Sequence, residues 1–185
     1  MSNIKQQRRI WWMAAGLWLG VIYSTLSLVR PVCEYLKTNT PFALFVNLMM
    51  GSFLSGLIII ILRTMKIKSV QRMWFLSGVV ILYIVGFWMV EHPEEKLHLI
   101  EYGLLAYLIF KALQMDVHRV KAYIGAFVLT SLCGWGDEII QHYLPNRYYQ
   151  VTDVQLNIFS GLLGLLLTYV MEEDGWLMKD EGAKR

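Results

Sequence analysis

The chain has 185 residues, of which 56% are hydrophobic, 14% aromatic and only 17% charged, with a formal net charge of +3 and a mean hydropathy of +0.45. Soluble domains carry about 25% charge, so these few charges do not coat a water-exposed surface; a disordered, collagen-like, disulfide-stapled or ordinary soluble-enzyme chain is excluded. The small, scattered positive charge argues against a nucleic-acid partner and suits the anionic inner leaflet of a membrane.

Six apolar stretches follow in chain order, each close to the roughly 20 residues that cross a bilayer. The first, residues 10–29, is too long for the apolar region of a cleavable signal, and no small-residue cleavage site follows it. Its polar run Tyr23, Ser24, Thr25 and Ser27 reads as the helix end, with hydroxyls bonded back to their own backbone. Residues 42–62, "FALFVNLMMGSFLSGLIIIIL", are the clearest span, and residues 74–90 form the third. The fourth, residues 97–113, carries His98, Glu101 and Lys111 among nine Leu, Ile and Phe residues. Each of those nine favours insertion by roughly 0.3 to 0.6 kcal/mol, whereas a central charge opposes it by about 2.5 to 3.5. Lys111 snorkels from the helix end, so insertion requires partners for His98 and Glu101. The fifth span, residues 120–144, runs through "GWGDEIIQHYL" and stops before Pro145, with Gly134 and Gly136 as a kink. The sixth, residues 154–171, holds a small-residue stripe, Gly161 and Gly164 beside Asn157 and Ser160, that lets it pack closely on a neighbour. A short tail, residues 172–185, follows.

The expected fold is all-α, a polytopic membrane bundle of about six transmembrane helices with both termini cytoplasmic. Thirteen of the seventeen Lys and Arg residues fall in alternate segments on one side and four on the other; basic loops stay in the cytoplasm. Residues 1–90 hold helices one to three, 91–171 helices four to six, and 172–185 a cytoplasmic tail, all in a single membrane domain. Trp11, Trp12, Trp74, Trp88, Trp135 and Trp176 lie near span ends, as in interfacial belts. Cys33 and Cys133 both fall near the outer face, and two cysteines leave their pairing open.

That topology sets "EHPEEKLH" and "GWGDEIIQHYLPNRYYQVTD" on the same, outer side. His98, Glu101 and Tyr102 are spaced i, i+3, i+4 on one helix face; Asp137 with Gln141, Glu138 with His142, and Asp153 with Asn157 are i, i+4 pairs. Ionisable groups at membrane depth face a bundle interior or a wet cavity. The expectation is a shared outward-facing pocket; a purely structural hydrogen-bond network is the alternative. Arg147 serves either as an anion contact or as an ion-pair partner of Asp137, Glu138 or Asp153. Glu94, Glu95, Lys96 and His92 read as a solvated loop.

"EEKLHLIEYGLLAYLIFKAL", an apolar helix, and then "DEIIQHYLPNRYYQVTDVQLNIFSGLLG" together resemble the VanZ-like family, over about residues 91–171. The family pattern carries a His and a Tyr four apart, a D-E-x-x-Q signature, a P-x-R turn, an Asp, an Asn and a Gly-rich helix. His98 and Tyr102, with Glu101, match the first element; Asp137, Glu138 and Gln141 the second; Pro145, Arg147, Asp153, Asn157, Gly161 and Gly164 the rest. Many members place a Lys three residues before the His, whereas Lys96 here is two before. The resemblance implies a multi-pass protein of the bacterial cytoplasmic membrane linked to teicoplanin resistance.

The expected function is an outward-facing pocket formed by His98, Glu101, Tyr102, Asp137, Glu138, Gln141, Arg147, Asp153 and Asn157. It binds or modifies an envelope lipid, a wall precursor or a lipoglycopeptide antibiotic. One alternative is an intramembrane hydrolase or transferase working by acid–base chemistry, or through a divalent cation on the carboxylates and His98. A second is a proton-coupled transporter or flippase, disfavoured by the lack of inverted repeats. No complete catalytic or cofactor motif is present. The bilayer is the expected partner; the oligomeric state is open.

Overall fold

The six apolar runs fold as six α-helices in a computed structural model that describes residues 2–64, 70–144 and 149–182. They are α1 (Ser2–Asn39), α2 (Phe42–Thr64), α3 (Val70–Met89), α4 (His98–Leu113), α5 (Arg119–His142) and α6 (Val151–Gly182), with a 3₁₀ turn (Glu95–Leu97) leading into α4. Among the described residues there is no strand. The fold is all-α.

Helices α2 to α5 begin and end within a few residues of the apolar runs. Pro41, which cannot continue α1, opens α2 by accepting a hydrogen bond from the Phe45 N–H at 3.1 Å. α1 and α6 overrun the expected limits. The hydroxyls of Ser24 and Thr25 bond back to the Val21 and Ile22 carbonyls at 2.9 to 3.0 Å. They are satisfied within the helix and do not stop it, so α1 continues through Pro31 to Asn39. The expected tail is helical as far as Gly182; Met, Glu, Leu and Lys favour helix, and no proline interrupts them.

α4 is the centre of the bundle, packed most extensively on α6 and then on α5 and α1. Tyr102, Leu105, Ala106, Ile109 and Phe110 are buried along it. Small residues set the α4–α6 approach: a Cβ on Gly164 would sit 2.5 Å from the Gly103 Cα. α5 runs as one continuous helix through Gly134 and Gly136. Both seat neighbours; a Cβ would meet the Asn157 Cβ at 2.6 Å and the Tyr23 hydroxyl at 2.8 Å, respectively. α3 lies on α6, and α2 is peripheral, contributing Val46 and Met50 to a cluster with Val79, Tyr83, Leu99 and Leu163.

The exterior is apolar. Among the described residues two helical stretches are long and apolar enough to cross a membrane, Ile4–Leu28 (mean hydropathy 1.3) and Val151–Met171 (1.7). Phe42–Gly56 and Met73–Met89 are shorter apolar helices. α4 has only 16 residues, and α5 spends positions on Asp137, Glu138 and Gln141, so neither qualifies. Two salt bridges mark the ends of the bundle. Arg8 meets Asp116 at 2.9 Å at one end, and Lys37 meets Glu94 at 2.5 Å at the other. Trp11 packs edge-on to Tyr107 at 6.0 Å, while Trp12, Trp74, Trp88 and Trp135 are exposed; the Trp176 side chain lies outside the described residues. No disulfide joins Cys33 to Cys133.

Candidate functional site

The Lys37–Glu94 end carries a cavity of about 190 Å³. His98 and Glu101 enter it from the first turn of α4, Gln141 from the end of α5, and Asp153 from the start of α6. The helical spacing places His98 and Glu101 together: His98 Nδ1 lies 3.3 Å from Glu101 Oε2, within Coulombic reach but without hydrogen-bond geometry. The His98 ring also leans on Tyr102, with centroids 5.8 Å apart.

Behind this wall is a layer of buried polar side chains. Asp137 is 0% exposed and both its oxygens are occupied, Oδ2 by the Tyr102 hydroxyl at 2.7 Å and Oδ1 by Gln141 Nε2 at 3.2 Å. Glu138 is also 0% exposed. One of its oxygens accepts the Gln150 backbone N–H at 3.2 Å and the other has no partner. Asn157 donates to the Gly134 carbonyl at 3.2 Å, and its own Oδ1 is unpaired. Polar groups buried without a partner cost about 1 to 3 kcal/mol each, so this layer stands out from ordinary packing. The indole of Trp18 ties α1 to the site by donating to the Glu101 carbonyl at 2.9 Å, and the Tyr23 hydroxyl does the same to Cys133 at 2.7 Å.

Of the nine expected residues, then, four line the cavity and Tyr102, Asp137, Glu138 and Asn157 lie buried around it. Arg147, with Pro145, lies outside the described residues. Two of the i, i+4 sets share a face without bonding to each other. His142 is exposed and stacks edge-on to Tyr143 at 5.4 Å rather than reaching Glu138. Asp153 accepts from the neighbouring Thr152 at 3.3 Å while Asn157 turns to α5.

The segment read as a solvated loop is instead part of the wall. Glu94 and Glu95 line the cavity and are half-buried. Burial opposes the charge on Glu94, but the Lys37 hydrogen bond, the residue's own backbone N–H and the nearby Lys37 and His92 outweigh it and hold its carboxyl below the usual range. Burial, and then repulsion from Asp153, push the Glu95 carboxyl up. Sequence reasoning missed the contribution of α1: Thr25, Glu34 and Lys37 also line the cavity. The only signal for it was the i, i+3 spacing of Glu34 and Lys37 beyond Pro31. The wall thus holds Glu34, Glu94, Glu95, Glu101 and Asp153 against Lys37, His92 and His98. Among the described residues no three His, Cys, Asp or Glu side chains come together as a metal site.

A family model described as VanZ/LLP1 matches residues 11–172, and no curated protein and no solved structure matches the chain. The chain belongs to the VanZ/LLP1 family, and the match extends well upstream of residue 91, taking in α1, α2 and α3.

Proposed function

For this member of a membrane-protein family, we propose a six-span protein of the bacterial cytoplasmic membrane, both termini inside, whose polar cavity opens outward. The cavity holds the polar head of an envelope lipid, a lipid-linked wall precursor or a lipoglycopeptide of the teicoplanin type, and so lowers the antibiotic's access to its target. One observation carries this reading: His98, Glu101, Gln141 and Asp153, from three helices, line one cavity at the end where the α3–α4 and α5–α6 connections meet. Charged and polar side chains in an otherwise apolar bundle are costly and mark functional sites. The uneven split of Lys and Arg between alternate loops supports the outward orientation.

A second reading, acid–base turnover of the bound headgroup, draws on the unpartnered His98 Nδ1 and Glu138 Oε1. Two groups without a hydrogen bond near one cavity, His98 beside the Glu101 carboxylate, are a donor–acceptor set that a substrate hydroxyl or phosphate ester would complete.

The test is a teicoplanin susceptibility assay in a host expressing His98→Ala or Asp153→Asn. Both variants are expected to accumulate in the membrane at wild-type level and to lose the protection. Protection at wild-type level in both would return the cavity to a structural role. Turnover of a lipid extract by the wild type but not by His98→Ala would select the second reading.

A further inference from the structure

On the other face of the 3₁₀ turn lies a second hollow, of about 180 Å³. Its walls are Met50, Phe53 and Leu54 of α2, Ile84, Phe87 and Trp88 of α3, and the start of α4. Gly51 faces it, and a Cβ there would meet nothing within 4 Å, so the slot is open because α2 carries no side chain at that point. Its rim residues are exposed on the apolar exterior: Phe53 by 42%, Ile84 by 43% and Trp88 by 80%.

Among the described residues, one cation stands at the rim. Lys96 Nζ sits 4.1 Å from the centroid of the Phe87 ring and donates to Asn47 Oδ1 at 3.3 Å; Phe87 and Asn47 both line the groove. Among the described residues no carboxylate pairs with Lys96. Its sequence neighbours Glu95 and Leu97 belong to the polar cavity instead, so the turn divides two hollows of opposite character. An ammonium has three donors, and one is used on Asn47. An apolar slot with an uncompensated cation at its mouth is complementary to an amphiphile with an anionic head.

We propose that the groove between α2, α3 and α4 holds an acyl chain of an anionic lipid whose phosphate rests on Lys96. The chain takes the place of the side chain that Gly51 lacks, and the phosphate takes up the remaining Lys96 donors. The site needs the protein in a bilayer, but it does not depend on the ligand or chemistry of the polar cavity.

The experiment uses the full chain in vesicles of phosphatidylglycerol or phosphatidylcholine with brominated acyl chains. Bromine quenches nearby tryptophans, and the Trp88 share is the difference between wild type and Trp88→Phe. Phosphatidylglycerol is expected to reach half-quenching of Trp88 at about five-fold lower mole fraction than phosphatidylcholine, the factor for one lysine at an anionic head. Lys96→Gln brings that ratio to one, and Lys96→Arg keeps it. Gly51→Leu, whose Cβ meets nothing within 4 Å and whose side chain adds bulk on the groove lining, also abolishes it. His98→Ala leaves the ratio at its wild-type value, which separates this site from the polar cavity. Equal quenching by both lipids in the wild type, or a ratio unchanged in Lys96→Gln, overturns the proposal. So does a Trp88 shielded from both lipids until the protein is diluted in the bilayer, the signature of a second copy seated in the groove.

Discussion

The α4–α6 seam and the α2 flank are built on opposite uses of glycine. At the seam, Gly103 and Gly164 bring two backbones into contact, Ser160 and Thr168 turn their hydroxyls onto their own helix at 2.6 and 2.7 Å, and Asp137, Glu138 and Asn157 are buried alongside. On the flank, Gly51 and Gly56 face open space, and α2 touches the bundle through few side chains. In a membrane, burial of apolar area does not draw helices together; close van der Waals contact and interhelical hydrogen bonds do. The seam therefore holds the polar site at fixed spacing, and the loosely seated flank leaves a groove.

The sharpest way to break this contrast is a matched pair of substitutions. Gly164→Ala forces a methyl into the Gly103 backbone, which cannot give way, and is expected to destabilise by about 3 kcal/mol or more. Gly51→Ala, into open helix surface, is expected to be neutral or to stabilise by about 0.5 to 1 kcal/mol. Thermal melts of the detergent-solubilised protein check both; similar losses in the two variants would erase the distinction. Next in size is Tyr102→Phe, which strips the donor from Asp137 Oδ2 inside a fully buried layer. It is expected to lower stability by about 1 to 3 kcal/mol in the same melts.

The smallest effect belongs to the clamp between α1 and the α3–α4 connection. Lys37→Ala is expected to cost about 0.2 to 1 kcal/mol, the usual range for a partly exposed pair. The native carboxyl of Glu94 sits below its ordinary value. Its contribution is therefore complete above the unfolded glutamate pKa of about 4.3 and lost as the pH falls through the native value. Wild type should lose stability relative to Glu94→Gln on acidification from pH 6 to pH 3. Parallel melting curves across that range would show that the pair contributes nothing.

Much of the site was legible because helical spacing is rigid. His98, Glu101 and Tyr102 share a face wherever α4 lies, and Asp137 with Gln141 do so on α5, so once the two helices are neighbours Tyr102 meets Asp137. Glu138 with His142 and Asp153 with Asn157 also share one face each, but do not bond to each other. There the tertiary environment offered better partners, the Gln150 N–H to Glu138 and the Gly134 carbonyl to Asn157. The length of α1 was misread because hydroxyl residues within an apolar helix look like an end when read singly, and are not one when they bond to their own turn.

The sequence by itself determined that the chain is all-helical, where most of the helices run, and which polar residues lie too deep in apolar runs to be ordinary surface. These follow from local periodicity and composition, which need no knowledge of neighbours. Only the tertiary structure decided that Lys37 closes on Glu94, 57 positions away, that Glu94 and Glu95 face a cavity while Lys96 between the latter and Leu97 faces a groove, and that two glycines of α5 seat neighbouring side chains. Those outcomes depend on where the end of one helix lands against another, a distance that the pattern within either helix does not encode.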